Sequence, residues 1–218
     1  MKKIISFSLW GGDPKYTIGA IRNAELAKTI YPEWVCRFYV GTSTPKDIVN
    51  KLESLDNTEV IDMGVTGDWT GMFWRFFPAS EKDVDVVIVR DCDSRLNLRE
   101  KHAVDEWLNS DKGFHIMRDH PAHGTEILGG MWGSKNGVIP NIRKDIDDYI
   151  KGDFWQVDQN FLREKIYPLV KNNSLIHDEF HWYNDDKKMF PSFRINKEFV
   201  GDVFDEMDVR HPDYYKLL

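Results

Sequence analysis

Residues 84–94 read VDVVIVRDCDS. Valine and isoleucine dominate the run up to Val89, which is the pattern of a central strand covered on both faces. Two carboxylates, Asp91 and Asp93, follow directly where this strand ends. In an open α/β sheet, ligands bind outside the carboxyl ends of the strands. The segment therefore predicts the middle of a sheet and an acidic ligand site at its edge.

The chain before this segment alternates strand and helix patterns. β-branched and aromatic residues indicate strands at residues 3–9, 35–40 and 59–63, and helical spacing occurs at 16–30 and 45–55. A β-α-β-α-β order predicts an α/β fold with a central, mostly parallel sheet flanked by helices. Further along we predict helices at 98–108, 139–150 and 157–170, strands at 113–118 and 174–176, and weak strands at 193–195 and 199–203.

Length and composition limit the classes of protein. The 218 residues suit one domain spanning 1–218, with residues 1–94 as a nucleotide-binding half and 95–218 as a half for the donor sugar and the acceptor. A net charge of −7 argues against a nucleic-acid partner, and no apolar run is long enough to span a membrane. Two cysteines exclude a disulfide framework and predict a reducing, cytoplasmic location.

The carboxylates of Asp91 and Asp93 are suited to bind a metal ion at this position. Oxygen ligands suit Mg²⁺ or Mn²⁺, and a bound dication can neutralise a diphosphate leaving group. An isolated Asp-x-Asp sequence is more often a solvated acidic turn. The position of Asp91 and Asp93 beyond the most apolar strand favours the metal site, because a cation would relieve the repulsion between the two carboxylates.

The chain resembles the GT-A fold glycosyltransferases. The resemblance rests on Asp91-Cys92-Asp93, on the strand before it and on the strand end Ser8-Leu9-Trp10; it covers the whole chain loosely and residues 1–135 best. It implies that Asp91 and Asp93 hold Mn²⁺ or Mg²⁺ against a nucleotide sugar, with Cys92 between them. It also implies a third metal ligand, for which His177 fits best and His181 and His211 remain alternatives.

The resemblance assigns further residues to the nucleotide sugar. The loop after the first strand would cradle the base and ribose through Ser8, Leu9, Trp10 and Tyr16. Arg75 corresponds to a basic residue that many such enzymes place before the acidic motif, and Asp68 and Trp69 would line the same pocket. Gly130, in the sequence GGMWG at 129–133, would let the donor sugar lie close to the backbone.

Two positions are candidates for the reacting centre. The pair Asp158-Gln159 resembles several retaining enzymes, in which it lies beneath the anomeric carbon. An inverting enzyme needs a carboxylate base, for which Asp119 or Asp158 could serve. The resemblance to retaining enzymes leads us to predict retention.

The sequence thus predicts transfer of a sugar, from a UDP-sugar as donor, to a hydroxyl of a carbohydrate acceptor. One alternative is a nucleotidyltransferase, although Gly11-Gly12 is followed by Asp13-Pro14 and the basic residue Lys15 comes late. A second alternative is a non-catalytic sugar-binding domain with a structural acidic turn. The donor sugar, the acceptor and the oligomeric state stay open.

Overall fold

The structure, a computed structural model, describes residues 1–149 and 152–218. Its strands are β1 (Lys3–Leu9), β2 (Val35–Val40), β3 (Thr58–Asp62), β4 (Val86–Val89), β5 (Phe114–Arg118), β6 (Trp132–Lys135), β7 (Ser174–Asp178) and β8 (Lys187–Lys188). Its helices are α1 (Pro14–Ile30), α2 (Lys46–Glu53), α3 (Leu98–Leu108), α4 (Ile142–Tyr149), α5 (Val157–Phe161), α6 (Tyr167–Val170) and α7 (Pro212–Lys216). A 3₁₀ segment spans Trp69–Ser80.

The strands form one sheet in the order β3-β2-β1-β4-β6-β5-β7-β8. Only β6 runs antiparallel, between β4 and β5, so the sheet is mostly parallel as predicted. β1 and β4 lie next to each other in the parallel part, and both end at the same edge. The loop after β1 and the acidic turn after β4 are therefore neighbours.

Strand β4 is apolar throughout because helices cover both faces of the sheet. Val86 and Ile88 pack with α1, α2 and α3 on one face. Val87 and Val89 pack on the other face with the 3₁₀ segment, α4 and α5. Side chains alternate between the faces of a strand, so a strand buried on both sides favours apolar residues at every position. The three-layer α/β prediction is confirmed.

The second half of the chain departs from the predicted elements in three places. The predicted helix 157–170 contains a π turn at Leu162–Ile166, just before Pro168, which has no backbone N–H to continue an α-helix. Residues 193–195 and 199–203 form no strand: Val203 makes an isolated bridge with Ser94, and the Val200 N–H donates to the Asp119 carboxylate instead of to a neighbouring strand. The predicted end of the 139–150 helix lies outside the described residues.

Hydropathy adds one observation about the helices. Within residues 1–149 and 152–218, none of them has both the length and the apolar character required to cross a membrane.

Candidate active site

Helix α1 positions the acidic turn after β4. The Asn23 side chain donates hydrogen bonds to the backbone oxygens of Cys92 (3.3 Å) and Ser94 (2.8 Å), and it accepts one from the Leu96 N–H (3.0 Å). A Cβ atom at Gly19 would lie 2.1 Å from the Cys92 oxygen. Glycine at this position therefore lets the helix approach the turn closely enough for Asn23 to hold it.

The C-terminal segment holds the same turn from the other side. The Phe204 N–H donates to the Asp93 backbone oxygen at 2.9 Å, and the Arg95 N–H donates to the Asp202 oxygen at 3.3 Å. The Asn23 side chain of α1 and the backbone of the C-terminal segment thus fix the turn. The carboxylates of Asp91 and Asp93 are left to face a cleft.

A buried arginine links the acidic turn to α5. The Arg75 guanidinium contacts the Asp91 carboxylate through Nη1 and the Asp158 carboxylate through Nη2, the latter at 2.9 Å. The backbone N–H of Arg75 donates to the Ser8 hydroxyl at 3.0 Å. Burial raises the pKa of the Asp158 carboxyl, and the charge of Arg75 opposes that rise. Residues from β1, the 3₁₀ segment, β4 and α5 therefore meet at one charged cluster.

Asp93 carries the second carboxylate of the acidic turn. Its Oδ2 lies 2.7 Å from the Nζ of Lys15 at the start of α1. Burial and the neighbouring charge of Asp91 raise the pKa of the Asp93 carboxyl, while Lys15 lowers it. The two carboxylates therefore destabilise each other when both are ionised, which is the condition that favours a bound cation.

Two glycines before β6 allow this cluster to form. A Cβ at Gly129 would lie 2.7 Å from Asp158 Oδ2, and a Cβ at Gly130 would lie 2.0 Å from Asp91 Oδ2. Both distances are far below van der Waals contact. The sequence assigned Gly130 to the donor sugar, but the Asp91 carboxylate packs against this glycine, which is not part of the cleft lining.

We expect Gly130→Ala to lower the free energy of unfolding by about 1–3 kcal/mol, the usual cost of overpacking. The new methyl group displaces the Asp91 carboxylate from Arg75. Urea unfolding measures the effect. Gly124→Ala is the matched control, because a Cβ there meets nothing within 4 Å. Equal stabilities of the two variants would contradict the close packing of Asp91 against Gly130.

The carboxylates face a cleft of about 540 Å³ at the carboxyl edge of β1 and β4. Most of the residues that the sequence analysis assigned to the site line it. They are Ser8, Leu9, Trp10, Tyr16, Trp69, Arg75, Asp91, Cys92, Asp93, Asp158 and Gln159. The structure thus brings together residues that are up to 151 positions apart in the sequence, from Ser8 to Gln159.

Aromatic side chains in the cleft differ in how available they are. Trp10 packs edge-on against Trp74, with a ring separation of 6.0 Å. Tyr16 is 39% exposed, Trp69 is 44% exposed and Trp155 is 66% exposed. The three exposed rings can stack on flat ligand groups, whereas Trp10 mainly shapes the wall.

Asp119 and Asp68, by contrast, do not line the cleft. The buried Asp119 carboxylate accepts hydrogen bonds from Arg99, from Arg194 and from the Val200 N–H. It is saturated by these donors and ties β5 to the C-terminal segment. Asp68 caps the 3₁₀ segment by accepting from the Thr70 N–H at 2.8 Å. Both roles are structural.

His177 also lies away from Asp91 and Asp93. Its Nδ1 is 2.8 Å from His115 Nε2, and its Nε2 is 2.9 Å from Glu106 Oε2. Both ring nitrogens of His177 therefore already have hydrogen-bond partners, His115 on β5 and Glu106 on α3. The alternatives His181 and His211 are not part of the cleft lining either. Across the described residues, no three acidic, histidine or cysteine side chains are grouped to hold a metal without further ligands.

The His115–His177 pair predicts a pH dependence of stability. Burial lowers the pKa of both imidazoles, that of His115 well below its usual value. Between that lowered pKa and the ordinary value of about 6.5, the unfolded chain binds a proton that the native state does not. We expect the free energy of unfolding to fall as pH drops below about 6.5, by up to about 1.4 kcal/mol per pH unit for each such histidine.

Urea unfolding between pH 5.5 and 7.5 measures this slope. Carboxyls with raised pKa values, such as Asp93, act in the opposite sense, so the informative quantity is the difference between variants. His115→Phe should flatten the slope, and replacement of the exposed His102 by Gln should leave it unchanged. Identical slopes for wild type and His115→Phe would refute the assignment.

Some cleft residues are not predicted because they carry no sequence motif. Lys15 comes late after Gly11-Gly12, and nothing in the sequence pairs it with Asp93. Trp155 and His123 also line the cleft, from loops before α5 and between β5 and β6. The one available signal was a tryptophan close to Asp158 in the sequence, since aromatic side chains often bind ligands.

The strand order and the position of the cleft at the carboxyl edge of β1 and β4 define a GT-A fold. The solved structures that the chain resembles agree. A glycosyltransferase involved in glycosylation of the major capsid of PBCV-1 superposes with a TM-score of 0.54 at 14% identity, over 82% of each chain. Residues 1–349 of S. aureus TarS give 0.54 at 12% identity, over 87% of this chain and 60% of that one. Glucosyl-3-phosphoglycerate synthase from Mycobacterium tuberculosis, in complex with UDP, gives 0.50 at 13% identity, over 83% of this chain and 72% of that one.

Sequence comparison adds no closer relative. No protein-family model matches the chain. No curated protein sequence matches it either. The similarity to the solved structures is therefore a similarity of fold.

Proposed function

We propose that this protein is a glycosyltransferase that transfers a sugar from a UDP-sugar to a hydroxyl of a carbohydrate acceptor, with Mn²⁺ or Mg²⁺. One observation carries the proposal. Asp91 and Asp93 line a cleft at the carboxyl edge of β1 and β4, and Arg75 connects Asp91 to Asp158, which lines the same cleft. The likeness in fold to glycosyltransferases, one of them holding UDP, supports it.

The residues present fit a divalent metal ion. Mg²⁺ and similar ions are usually held by one or two carboxylates, with substrate phosphates and water completing the shell. Asp91 and Asp93 supply two carboxylates, and the Asp91 side chain is 41% exposed to the cleft. A dication bound there would neutralise the charge of the departing diphosphate. Since the described residues provide no third ligand, we propose that the diphosphate and water replace the histidine that the sequence suggested.

Arg75 and Asp158 organise the centre of the cleft. The guanidinium holds Asp158 through a fixed donor geometry, and its positive charge favours the ionised form of that buried carboxylate. A fixed negative charge at this point would stabilise positive charge developing on the anomeric carbon. Asp158 and Gln159 are therefore our candidates for the residues next to the reacting atoms. Asp119 is saturated by arginines and is not proposed as a base.

We propose retention of anomeric configuration for the same reason. Asp158 is only 2% exposed and is paired with Arg75, so it is suited to steady a charge and poorly suited to deprotonate an acceptor. In retention, a leaving-group phosphate oxygen can accept the acceptor proton.

Tyr16 would stack on the uracil ring, and the exposed Trp69 and Trp155 would contact sugar faces. The two free cysteines support a reducing, cytoplasmic location.

A thermal-shift screen of nucleotide sugars with and without Mn²⁺ tests the proposal, because a ligand that binds only the native state raises its apparent stability. We expect UDP-sugars to raise the unfolding temperature only when the metal is present. Proton NMR of the reaction products then gives the anomeric configuration, and an inverted product would reject retention. Stabilisation by free sugars alone would favour a sugar-binding domain. Pyrophosphate release from UTP and a sugar 1-phosphate would favour a nucleotidyltransferase.

A further inference from the structure

His123 is a cleft residue that the proposed chemistry leaves without a role. It lies in the loop between β5 and β6 and lines the cleft. The Asp119 backbone N–H donates a hydrogen bond to His123 Nδ1 at 3.0 Å. The ring also packs 5.8 Å from the ring of Phe199, on the same wall. The imidazole is therefore held in a fixed orientation by the backbone and by an aromatic neighbour.

This hydrogen bond decides where the His123 proton resides. A backbone N–H can only donate, so Nδ1 must be the acceptor and a neutral ring carries its proton on Nε2. Burial and the nearby His120 hold the pKa of His123 well below its usual value, so the ring is neutral at physiological pH. Within the described residues, Nε2 has no hydrogen-bond partner, and it is not fully enclosed by protein. The result is a fixed, neutral N–H donor at the cleft wall.

The surroundings of His123 favour a hydroxyl over a phosphate as its partner. The charged groups for a diphosphate, Arg75 and Lys15, lie with the acidic turn. The cleft residues in the same loop and its neighbouring strand are apolar, Leu128 and Met131, and the ring of Phe199 packs against His123. Phosphate prefers charged donors, whereas a neutral imidazole N–H suits a neutral hydroxyl oxygen.

The same wall is continuous with the proposed reacting centre. Gly129, in the loop that carries His123, lies against Asp158: a Cβ there would be 2.7 Å from Asp158 Oδ2. Gly129 and His123 both line the cleft, so this loop borders a sugar placed over Asp158. We infer that His123 donates a hydrogen bond from Nε2 to a hydroxyl of the transferred sugar and so selects which sugar the cleft accepts. This inference rests on the proposed function.

The test compares His123→Asn with wild type. Asparagine keeps an oxygen near the Nδ1 position for the Asp119 N–H but has no donor at the Nε2 position. The probes are UDP, UDP-glucose, UDP-galactose and the monodeoxy analogues of both sugars, each titrated with Mn²⁺ by calorimetry. In wild type, removal of one hydroxyl should weaken binding by about 5- to 150-fold, since it leaves the His123 donor unpaired.

In His123→Asn, the intact UDP-sugar should bind more weakly by a similar factor, and loss of that same hydroxyl should have no further effect. UDP, which has no sugar, should bind both proteins equally. His123→Gln, which returns an amide N–H to the Nε2 position, should restore part of the discrimination. The inference would be overturned if removal of that hydroxyl weakened binding to His123→Asn as much as to wild type, or if His123→Asn bound UDP itself more weakly. The proposed function would stand in either case. A wild-type protein that binds none of the UDP-sugars would overturn both.

Discussion

Asp93→Asn is expected to lower kcat/KM for sugar transfer by about 10³-fold or more, since a dication supplies several kcal/mol of charge stabilisation and each 1.36 kcal/mol is tenfold in rate. The substitution keeps the shape of the side chain and removes its charge beside Asp91. It also releases Lys15, the present partner of Asp93. Metal-dependent turnover of the UDP-sugar found by the thermal-shift screen is the quantity to measure.

Asp83→Asn is the matched control, because the Asp83 side chain is 72% exposed and pairs with Lys2 at the surface, away from the cleft lining. It should leave turnover and stability unchanged. Full metal-dependent turnover in Asp93→Asn would remove the acidic pair from the mechanism.

Arg75→Met is expected to have the second large effect, on stability as well as on activity. It leaves the buried Asp158 and the neighbouring Asp91 without their shared cation. Removing one partner of a buried ion pair costs about 3–5 kcal/mol, because the remaining charge is buried without compensation. Asp158 should then take up a proton, and the charge beneath the proposed anomeric position is lost. Urea unfolding and UDP-sugar turnover below the unfolding temperature measure the two effects.

Arg37→Met is the control that separates an effect on stability from an effect on turnover. Arg37 is also buried and also joins two carboxylates, Glu59 and Glu81, but it does not line the cleft. It should lower the free energy of unfolding and leave turnover intact in the folded protein. Turnover retained by Arg75→Met under the same conditions would contradict the role given to Arg75.

The fold was predictable because the sheet centre has an unambiguous local pattern. The run ending at Val89 is apolar on both faces, and the alternation of strands and helices before it fixes a parallel arrangement. The C-terminal third lacks such a pattern. Residues 199–203 contain apolar side chains like a strand, yet their backbone groups bond to Asp119 and to the acidic turn. Contacts of this kind depend on distant residues and leave no periodicity in the sequence.

The candidate site was predictable where a residue follows a strand end and less so elsewhere. Ser8 and Asp91 reach the cleft because β1 and β4 are parallel neighbours. His177 also lies at the end of a strand, but β6 and β5 separate that strand, β7, from β4 in the sheet. The His177 ring contacts Glu106 on α3. Residue type alone could not distinguish these cases. Strand order, which depends on long-range packing, decided which chemical groups share the cleft.

The most direct test of the central claim is an anomalous difference map from a crystal soaked with UDP and Mn²⁺. We predict one manganese peak in the cleft, coordinated by carboxylate oxygens of Asp91 and Asp93 and by the diphosphate of UDP. The peak should be absent from crystals of Asp93→Asn soaked in the same way. UDP bound in the cleft with no metal at these carboxylates, or manganese bound elsewhere, would contradict the account.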